Sequence, residues 1–443
     1  VFGKPIALLV ATPTQVERLT ERFYENSDHA ITEIVETMEE VDPEPNLQRL
    51  IGLASETPVV RLVNAMFSRA VDLRASDIHV EPFDNKLKVR YRIDGVLTEV
   101  EAPPARLSAA VVSRIKIMAR LDIAERRLPQ DGRMQIRAQA KLIDLRVSTV
   151  PTLHGESVVL RILDKDTLPL DFERLGFSGP PAVSLTTALS QPNGIVLVTG
   201  PTGSGKTTSL YAALSLLNRP QQKILTVEDP VEYQLEGINQ IQVKPQIELT
   251  FAAALRAIVR QDPDVIMIGE MRDLETASIA VQSALTGHLV LSTLHANDAA
   301  SSVTRLLDMG VADYLLTSTV VGVVAQRLVR MLCRSCAQTY QPPANLIDEL
   351  GLRALTMAES ISLHRPTGCE LCVGTGYNGR TVIFEYLPMT DELRQYVLDR
   401  ADGNTLHQIA CDAGMRTMSE DGFIKALNGV TAVEEVVRVT QRH

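Results

Sequence analysis

Short apolar runs alternate with segments of helical spacing in the second half of the chain. The runs are Ile195–Val198, Ile224–Val227, Val265–Ile268 and Leu289–Ser292. After the first run, apolar residues recur every three or four positions, at Leu210, Ala213, Leu214 and Leu217, which is typical of a helix. Short buried strands joined by helical crossovers predict a parallel sheet covered on both faces. We place this α/β domain at residues 180–330.

A different pattern fills residues 48–166. Thr57-Pro58 marks the start of a helix, and Val60, Val63, Phe67 and Val71 are expected to share its buried face. Alternating apolar and polar residues predict several strands, and Asp94-Gly95 predicts a hairpin turn between two of them. The predicted strands are 77–80, 88–93, 96–100, 142–150 and 158–163, with a long helix at about 106–121. We therefore expect a small α+β domain with a largely antiparallel sheet.

The other segments are expected to be smaller. Residues 1–47 contain a predicted short strand, Ile6–Val10, an amphipathic helix and the acidic linker 39–45. Because the first residue is Val, we expect 1–47 to be the remnant of an upstream domain plus this linker. Residues 167–179 are expected to be a second linker, 331–385 a cysteine-bearing segment, and 386–443 a helical C-terminal subdomain.

Composition and charge narrow the classes of function. A chain of 443 residues with 45% hydrophobic residues can form two or three domains with substantial cores. A net charge of −10 argues against a broad electrostatic grip on nucleic acid. No apolar run is long enough to span a membrane by itself. We expect no secretory signal peptide, since the first residues lack a basic region before an apolar run.

The run Ile195–Val198 leads into a glycine-rich loop and then a helix. The loop residues are Gly200, Pro201, Thr202, Gly203, Ser204, Gly205, Lys206, Thr207 and Thr208. Glycines free the backbone so that its N–H groups can point at phosphates, and the helix N-terminus adds positive potential. Lys206 is expected to reach the β- and γ-phosphates, and the Thr207 hydroxyl to bind Mg²⁺. The sequence therefore predicts a nucleoside triphosphate site.

Two predicted strands end in carboxylates. Glu270 follows Val265–Ile268, although Gly269 stands where an Asp usually precedes such a Glu. Glu228 ends the strand that begins at Ile224, and parallel strands converge at their carboxyl ends. Either carboxylate could polarise the attacking water, and the residues alone do not rank the two.

Histidines and arginines supply further candidates. His288 and His295 flank the strand at 289–292 and could sense the γ-phosphate, but structural histidines are the alternative. Arg146 and Arg161 could stabilise charge on that phosphate, with surface salt bridges as the alternative. A basic strip, expected to be a solvated face or a subunit contact, comprises Arg114, Lys116, Arg126, Arg127 and Arg133.

Four of the five cysteines form two CxxC pairs, Cys333/Cys336 and Cys369/Cys372. Four thiolates in this pattern favour a structural tetrahedral Zn²⁺ site. Disulfides are the alternative, disfavoured in a reducing compartment, whereas a redox CxxC needs only one pair. Cys411 is expected to be a small core residue.

Motifs in this order resemble those of the secretion ATPases. They are Ser76-Asp-Ile-His-Val-Glu-Pro82, Arg90-Tyr-Arg-Ile-Asp-Gly95, Leu121-Asp-Ile-Ala-Glu125, Pro129-Gln-Asp-Gly132, the P-loop, Glu228-Asp-Pro230, Ile268-Gly-Glu-Met-Arg-Asp273, Thr286-Gly-His288 and the four cysteines. The resemblance, over about 48–443, is to the type II secretion system ATPase and its sister, the type IV pilus extension ATPase.

The resemblance implies a RecA-like P-loop ATPase domain preceded by a small α+β (PAS-like) domain, with a four-cysteine zinc insert and a helical C-terminal tail. It also implies a homo-hexameric ring. Arg146 and Arg161 match the family's phosphate-contacting arginines and Glu228 lies in its aspartate box. Glu270 lies in its Walker B element, and His288 and His295 in its histidine box. Inner-membrane platform partners are implied, docking mainly through the missing upstream domain.

We expect a cytoplasmic ATPase, peripheral on the inner membrane through protein partners, that uses ATP, Mg²⁺ and Zn²⁺. Domain motions in the ring would drive pseudopilus assembly and protein export. A type IV pilus extension ATPase is the alternative within the family. A RecA-like nucleic-acid translocase and a nucleotide-gated scaffold that does not hydrolyse ATP are the alternatives from other classes. No nucleic-acid partner is expected.

Overall fold

A computed structural model of the protein describes residues 47–138, 141–163 and 170–441. The predicted strand Ile6–Val10 and the acidic linker 39–45 lie outside the described residues. The chain forms two compact units, which divide between Thr167 and Leu168. None of the helices in the described ranges is both long and apolar enough to cross a bilayer.

The first unit is a six-stranded antiparallel sheet with helices against one face. Its helices are α1 (Leu47–Ser55), α2 (Thr57–Asp72) and α3 (Ser108–Met118). Its strands are β1 (Ala75–Pro82), β2 (Leu87–Ile93), β3 (Val96–Val100), β4 (Gln130–Ala138), β5 (Lys141–Thr152) and β6 (Gly155–Leu163), in the order β3-β2-β1-β6-β5-β4. Alternate strand residues such as Leu145 and Val147 join α2 and α3 in one core, so the other face stays polar.

Helix α2 begins as predicted, with proline in its first turn. Its buried face is rotated from the expected one: Val59, Leu62, Val63, Met66, Phe67 and Ala70 are buried. Val60 and Val71, which the apolar spacing placed at the core, are only half-buried. The apolar stripe is wider than one face, so packing against the sheet decides which part is covered.

Strand β4 was not predicted. The structure also places some residues of the basic strip differently from what the sequence suggested. Arg133 lies on this strand, which pairs with β5. Lys116 on α3 is not solvated at all: it is 1% exposed, and its Nζ lies 2.7 Å from Oε1 of the buried Glu156. Arg126, Arg127 and Arg133 are exposed, as expected of a solvated face, but Lys116 is an exception, because a lysine stem can be buried when a carboxylate meets its charge.

The second unit contains a seven-stranded sheet, ordered β15-β12-β7-β11-β10-β8-β9. Its strands are β7 (Gly194–Thr199), β8 (Ile224–Glu228), β9 (Asn239–Gln242), β10 (Val265–Ile268), β11 (Leu289–Leu294), β12 (Val320–Leu332) and β15 (Tyr377–Pro388). A separate pair consists of β13 (Gln338–Tyr340) and β14 (Leu363–Arg365). The four predicted strands are confirmed and pair in parallel.

The helices of the second unit cover both faces of its main sheet. They are α4 (Phe172–Leu175), α5 (Gly179–Leu189), α6 (Lys206–Leu217), α7 (Phe251–Ile258), α8 (Leu274–Leu285), α9 (Ala299–Asp308), α10 (Asp313–Thr319), α11 (Ala344–Glu349), α12 (Asp391–Leu398), α13 (Gly403–Asp412), α14 (Met418–Leu427) and α15 (Val433–Thr440). On β7, Ile195 and Leu197 enter one core, whereas Val196 and Val198 enter the other. This explains why the strand reads as a continuous apolar run.

Two boundaries differ from the sequence expectation. Strand β15 returns to the main sheet and pairs antiparallel with β12, so part of the cysteine-bearing segment 331–385 belongs to that sheet. Part of the expected linker 167–179 packs on this strand, since the rings of Phe177 and Phe384 lie 4.7 Å apart.

The buried Lys116–Glu156 pair makes a testable contribution to the first unit. We expect Glu156→Gln to lower the free energy of unfolding by about 3–5 kcal/mol, because it leaves the buried Lys116 charge uncompensated. The exposed pair Lys88–Glu99, with an N–O distance of 2.9 Å, provides the control variant Glu99→Gln, whose effect should be much smaller. Thermal unfolding of the three proteins checks this, and equal midpoints for the two variants would contradict it.

Candidate functional site

The predicted site residues cluster at the carboxyl ends of four neighbouring strands. Strands β7, β11, β10 and β8 lie side by side in that order. The P-loop follows β7, His295 follows β11, Glu270 follows β10, and Glu228 is the last residue of β8. Because all four strands are parallel, these groups share one edge of the sheet. Ligands of open α/β sheets bind at such an edge.

Close backbone approach explains the glycines of the P-loop. A Cβ on residue 200 would lie 2.5 Å from the carbonyl oxygen of Gln326, and Gly200 has a φ of +146°. Gly205 precedes helix α6 with a φ of +88°. Neither position accepts a side chain without displacing β12 or straining the turn. The loop therefore has the form that presents backbone N–H groups at a helix N-terminus.

Lys206 is the first residue of α6 and points back over the loop. Its Nζ donates to the carbonyl oxygens of Gly200, at 2.8 Å, and Pro201, at 3.1 Å. Burial lowers the pKa of Lys206, and the cation of Arg327 lowers it further, while Glu270 opposes both. Thr207 is exposed in the first turn beside it, so its hydroxyl is free of the core.

Glu270 is held at the centre of the edge. Its carboxylate lies 2.5 Å from Nη2 of Arg272 and 3.5 Å from Nε2 of His295. The preceding Gly269 donates its N–H to the carbonyl of Val227, at 2.8 Å. A Cβ at Gly269 would approach that carbonyl oxygen to 3.3 Å, so a side chain at this position would require a small shift of the backbone of β8.

Glu228 is buried, with 3% of its surface exposed. Tyr211 on α6 donates its hydroxyl to Oε2, and Thr226 and Gln240 donate to Oε1, at 2.5 and 3.1 Å. Burial and the adjacent carboxylate raise the pKa of Tyr211. Glu228 is thus fixed in orientation, whereas the Glu270 side chain is 15% exposed and closer to Lys206 along the sheet edge.

The two histidines lie at opposite ends of β11. His295 is exposed at the P-loop edge, where Thr199 accepts the N–H of Ala296 at 3.0 Å and fixes the loop. His288 precedes the strand, and its Nδ1 lies 2.8 Å from the carbonyl oxygen of Ser283. The expected placement of His288 at the ligand edge is wrong, because a residue before a parallel strand lies at the amino end. A catalytic role for His288 stays a prediction from the resemblance alone.

Arg146 and Arg161 lie in the first unit, on the polar face of its sheet. They are directly opposite each other on β5 and β6. Nε of Arg161 donates to Oδ1 of the buried Asp77, at 3.0 Å. Their contact with phosphate stays a prediction.

The four cysteines form one cluster. Their Sγ atoms all lie within 4.8 Å of one another, with separations of 3.8 Å for Cys333–Cys369 and for Cys336–Cys372. All are free thiols, so the disulfide alternative is wrong for this structure. Although burial raises the pKa of Cys372, the N–H groups of Cys369 and Gly376 lower it to about 6 overall. Four cysteine sulfurs at these separations could hold a metal ion.

Comparison with known proteins decides the family. The chain matches the Type II/IV secretion system protein family over residues 53–438. It belongs to that family. The type II secretion system protein E of Xanthomonas campestris is 60% identical over 440 residues, which are 99% of this chain and 77% of that protein. The resemblance to type II secretion ATPases inferred from the motifs is confirmed.

Other relatives of this secretion ATPase carry functional names. The type II secretion system ATPase E of Vibrio cholerae is 48% identical over 90% of this chain and 78% of its own length. The type IV pilus assembly ATPase PilB of Myxococcus xanthus is 46% identical over 98% of this chain and 78% of its own length.

Solved structures of an ATPase and of a pilus retraction motor share the fold. The ATPase DotB of Legionella pneumophila aligns with a TM-score of 0.63 at 21% identity, covering 90% of this chain and 99% of that one. The pilus retraction motor PilT, solved with bound ADP, aligns with a TM-score of 0.57 at 25% identity, covering 85% of this chain and 96% of that one. The mixed α/β ATPase fold is thus confirmed.

Sequence reasoning missed three residues of the secretion ATPase site. Gln326 on β12 is fully buried and donates Nε2 to the carbonyl of the P-loop residue Ser204, at 2.8 Å. Burial lowers the pKa of its neighbour Arg327, whose Nη2 donates to the carbonyl of Asn297, at 3.2 Å. Tyr211 holds Glu228. The sequence contained a signal for Gln326 and Arg327, because they are two consecutive polar residues within the apolar run of β12.

Gln326 should matter for nucleotide affinity through the P-loop. We expect Gln326→Met, which keeps the volume but removes the donor to Ser204, to weaken binding of Mg-ATP roughly tenfold, since an unsatisfied buried carbonyl costs about 1–3 kcal/mol. Gln242→Met, on the edge strand β9, is the control. Calorimetric titration measures both, and an unchanged dissociation constant for Gln326→Met would contradict this role.

Proposed function

We propose that this chain is the ATP-hydrolysing motor subunit of a type II secretion system. Family membership and the relatives named ATPases support ATP hydrolysis coupled to secretion. The observation that carries the proposal is the convergence of Lys206, Glu270 and His295 at the carboxyl edge of the parallel sheet.

The residues at this edge have complementary tasks in phosphoryl transfer. The P-loop amides and Lys206 bind the phosphates and place the γ-phosphate in line for attack by water. Mg²⁺, held by Thr207 and Glu270, would offset phosphate charge. The water oxygen bonds to the γ-phosphorus as the bond to the ADP oxygen breaks, and a carboxylate takes the water proton. His295 lies beside Glu270 and orients the Glu270 carboxylate. The same histidine is placed to respond to phosphate release.

Two carboxylates compete for the role of base. Glu270 has the exposure and the proximity to Lys206 that favour contact with water or metal. Glu228 is buried and accepts three hydrogen bonds, which fixes its orientation and leaves one acceptor site of the carboxylate that could orient a water molecule. We keep both as candidates, because each arrangement supports a different role.

The roles that we propose for the arginines, the first unit and the oligomer are those that the resemblance to secretion ATPases implies. Arg146 and Arg161 contact the γ-phosphate, the first unit is PAS-like, and six copies form a ring in which hydrolysis drives motions between the units. The ring works in the cytoplasm against inner-membrane platform proteins, which dock mainly through an upstream domain. The single antiparallel sheet with one polar face supports the first two assignments.

Type IV pilus assembly is the second candidate function, because the Myxococcus PilB relative is 46% identical over nearly the whole chain. Co-purification of the full-length protein with inner-membrane assembly proteins of each system distinguishes the two functions.

Substitution of the P-loop lysine tests hydrolysis directly. We expect Lys206→Ala to reduce phosphate release at least roughly 100-fold, because it removes a positive charge from the transition state. Lys244→Ala, an exposed lysine of the same unit, is the control. Glu228→Gln and Glu270→Gln rank the carboxylates, since loss of the base should cost roughly 100- to 10,000-fold. Hydrolysis retained by Lys206→Ala would refute the motor assignment.

Zinc is the metal we propose for the cysteine cluster. Zinc–thiolate bonds of about 2.3 Å in a tetrahedron place sulfur atoms about 3.8 Å apart. Three of the observed Sγ–Sγ separations are 3.7–3.8 Å. The four thiolates would fill the coordination shell, leaving no position for a reactive water, so the zinc would be structural. It would tie the turn at Cys333 to the loop before β15.

Metal content tests this assignment. We expect about one zinc per chain in the purified protein and loss of that zinc in Cys372→Ser, because three thiolates hold the ion less tightly. Cys411→Ser is the matched control, since Cys411 lies outside the cluster. Elemental analysis measures both, and absence of stoichiometric zinc from the unmodified protein would refute the assignment.

A further inference from the structure

A single buried carboxylate on β15 bonds the beginnings of two helices. Oε1 of Glu385 accepts the backbone N–H of Ala299, at 2.8 Å, and its Oε2 accepts that of Met418, at 3.2 Å. Ala299 is the first residue of α9, and Met418 is the first residue of α14. The side chain of Glu385 therefore joins two helices of the second unit that are far apart in the chain.

Each of these helices already has an ordinary N-terminal cap. At α9 the side chain of Asp298 accepts the N–H of Ser301, and at α14 the side chain of Thr417 accepts the N–H of Glu420. A side chain just before the first turn normally caps a helix in this way. Glu385 reaches both helices from a strand, so its bonds fix the two helix ends relative to each other and to the sheet.

The position of Glu385 is costly for a charge. On the same face of β15, Ile383 and Leu387 belong to the apolar core on that side of the sheet. No ion pair with Glu385 occurs among the described residues. Burial raises the pKa of Glu385, the two backbone N–H groups and His407 oppose this effect, and Asp298 adds to it. The ionised carboxylate therefore depends on the N–H groups of both helix ends.

Helix α9 begins directly after the loop that carries His295, which spans residues 295–298. Thr199, at the end of β7, accepts the N–H of the residue after His295, at 3.0 Å. Arg327 on β12 donates to the carbonyl of Asn297, at 3.2 Å. These two bonds hold the middle of the loop, and the bond from the carboxylate of Glu385 to the first N–H of α9 holds its far end.

We propose that Glu385 is a positioning residue for ATP hydrolysis, which fixes the loop of His295 by accepting the first N–H groups of α9 and α14 at the same time. The inference rests on the proposed function, because His295 acts in that function. A displacement of α14 changes the hydrogen bond at α9 as well, so one side chain couples this helix to the loop at the nucleotide edge.

Replacement of the carboxylate by its amide tests this role in the full-length protein. Glu385→Gln keeps the size of the side chain, but its NH₂ group then faces a backbone N–H that has lost its acceptor. We expect kcat for phosphate release to fall roughly tenfold, because a small displacement of an orienting group is costly in rate. KM for ATP should change less than about twofold, since the hydrogen bonds of Glu385 do not involve the P-loop.

A second variant removes one N–H and keeps the carboxylate. Proline suits the first position of a helix, and Thr417, with φ −71° and ψ 158°, already has the extended conformation required before proline. We expect Met418→Pro to lower kcat roughly tenfold as well. Met418→Ala is the matched control and should retain kcat, because both variants lose the buried methionine side chain but only the proline lacks the N–H.

A double substitution shows whether Glu385 acts through His295. In the His295→Ala background, Glu385→Gln should cause less than about a twofold further loss of kcat, because two residues that act as one unit have non-additive effects. If Glu385 acted by a separate route, the two losses would multiply. The same phosphate-release assay measures all four proteins of this cycle.

The outcomes separate this inference from the proposed function. Equal kcat for Met418→Pro and Met418→Ala, or multiplied losses in the double substitution, would overturn the role of Glu385 even if Lys206→Ala abolishes hydrolysis. Normal kcat for His295→Ala would also overturn it, since no catalytic group would then be positioned. Loss of kcat in Glu385→Gln and Met418→Pro, without further loss in the His295→Ala background, supports it.

Discussion

The close approach of strand β12 to the P-loop is the constraint on which the nucleotide site depends. The backbone carbonyl of Gln326 occupies the space that a side chain at residue 200 would need. The side-chain amide of Gln326 donates a hydrogen bond to the backbone carbonyl of Ser204. Hydrogen bonds from Thr199 to the carbonyl of Ala296 and from Thr293 to the carbonyl of Gly269 join the ends of two strands to the loops that carry His295 and Glu270. The loop is therefore shaped by strands that are buried on both faces, and preorganised donors of this kind stabilise charge without rearranging during the reaction.

The two units use their sheets in different ways. In the second unit both sheet faces are covered, so polar chemistry is confined to the ends of the strands. In the first unit one face packs on helices and the other remains accessible, so polar side chains can form rows across several strands. A parallel sheet thus concentrates its functional groups at an edge, whereas an antiparallel sheet displays them over an area. The P-loop at the edge of one sheet and the facing pair Arg146 and Arg161 on the other are examples of this difference.

The sequence predicted the features that local patterns determine. The P-loop, four parallel strands and the cysteine pairs each depend on residues close together in the chain, and the structure contains them. It did not predict β4 or the return of β15 to the sheet, because both depend on partners far away in the chain. The placement of His288 failed for a related reason: a histidine on either side of a strand looks equivalent until strand direction assigns the two ends. Without β4, the register that aligns Arg133 with Arg146 could not be anticipated either.

The hydrogen bond from Tyr211 to Glu228 has a consequence for how this site tolerates change. Tyr211 belongs to the helix that begins at the P-loop, whereas Glu228 ends a strand three positions away in the sheet. A phenylalanine at 211 would leave a buried carboxylate short of a donor, and an apolar residue at 228 would leave a buried hydroxyl without its acceptor. A substitution at residue 211 or 228 therefore requires a compensating change at the other. A chimera that combines this helix from one homologue with the sheet of another should fold well only when both residues come from the same homologue.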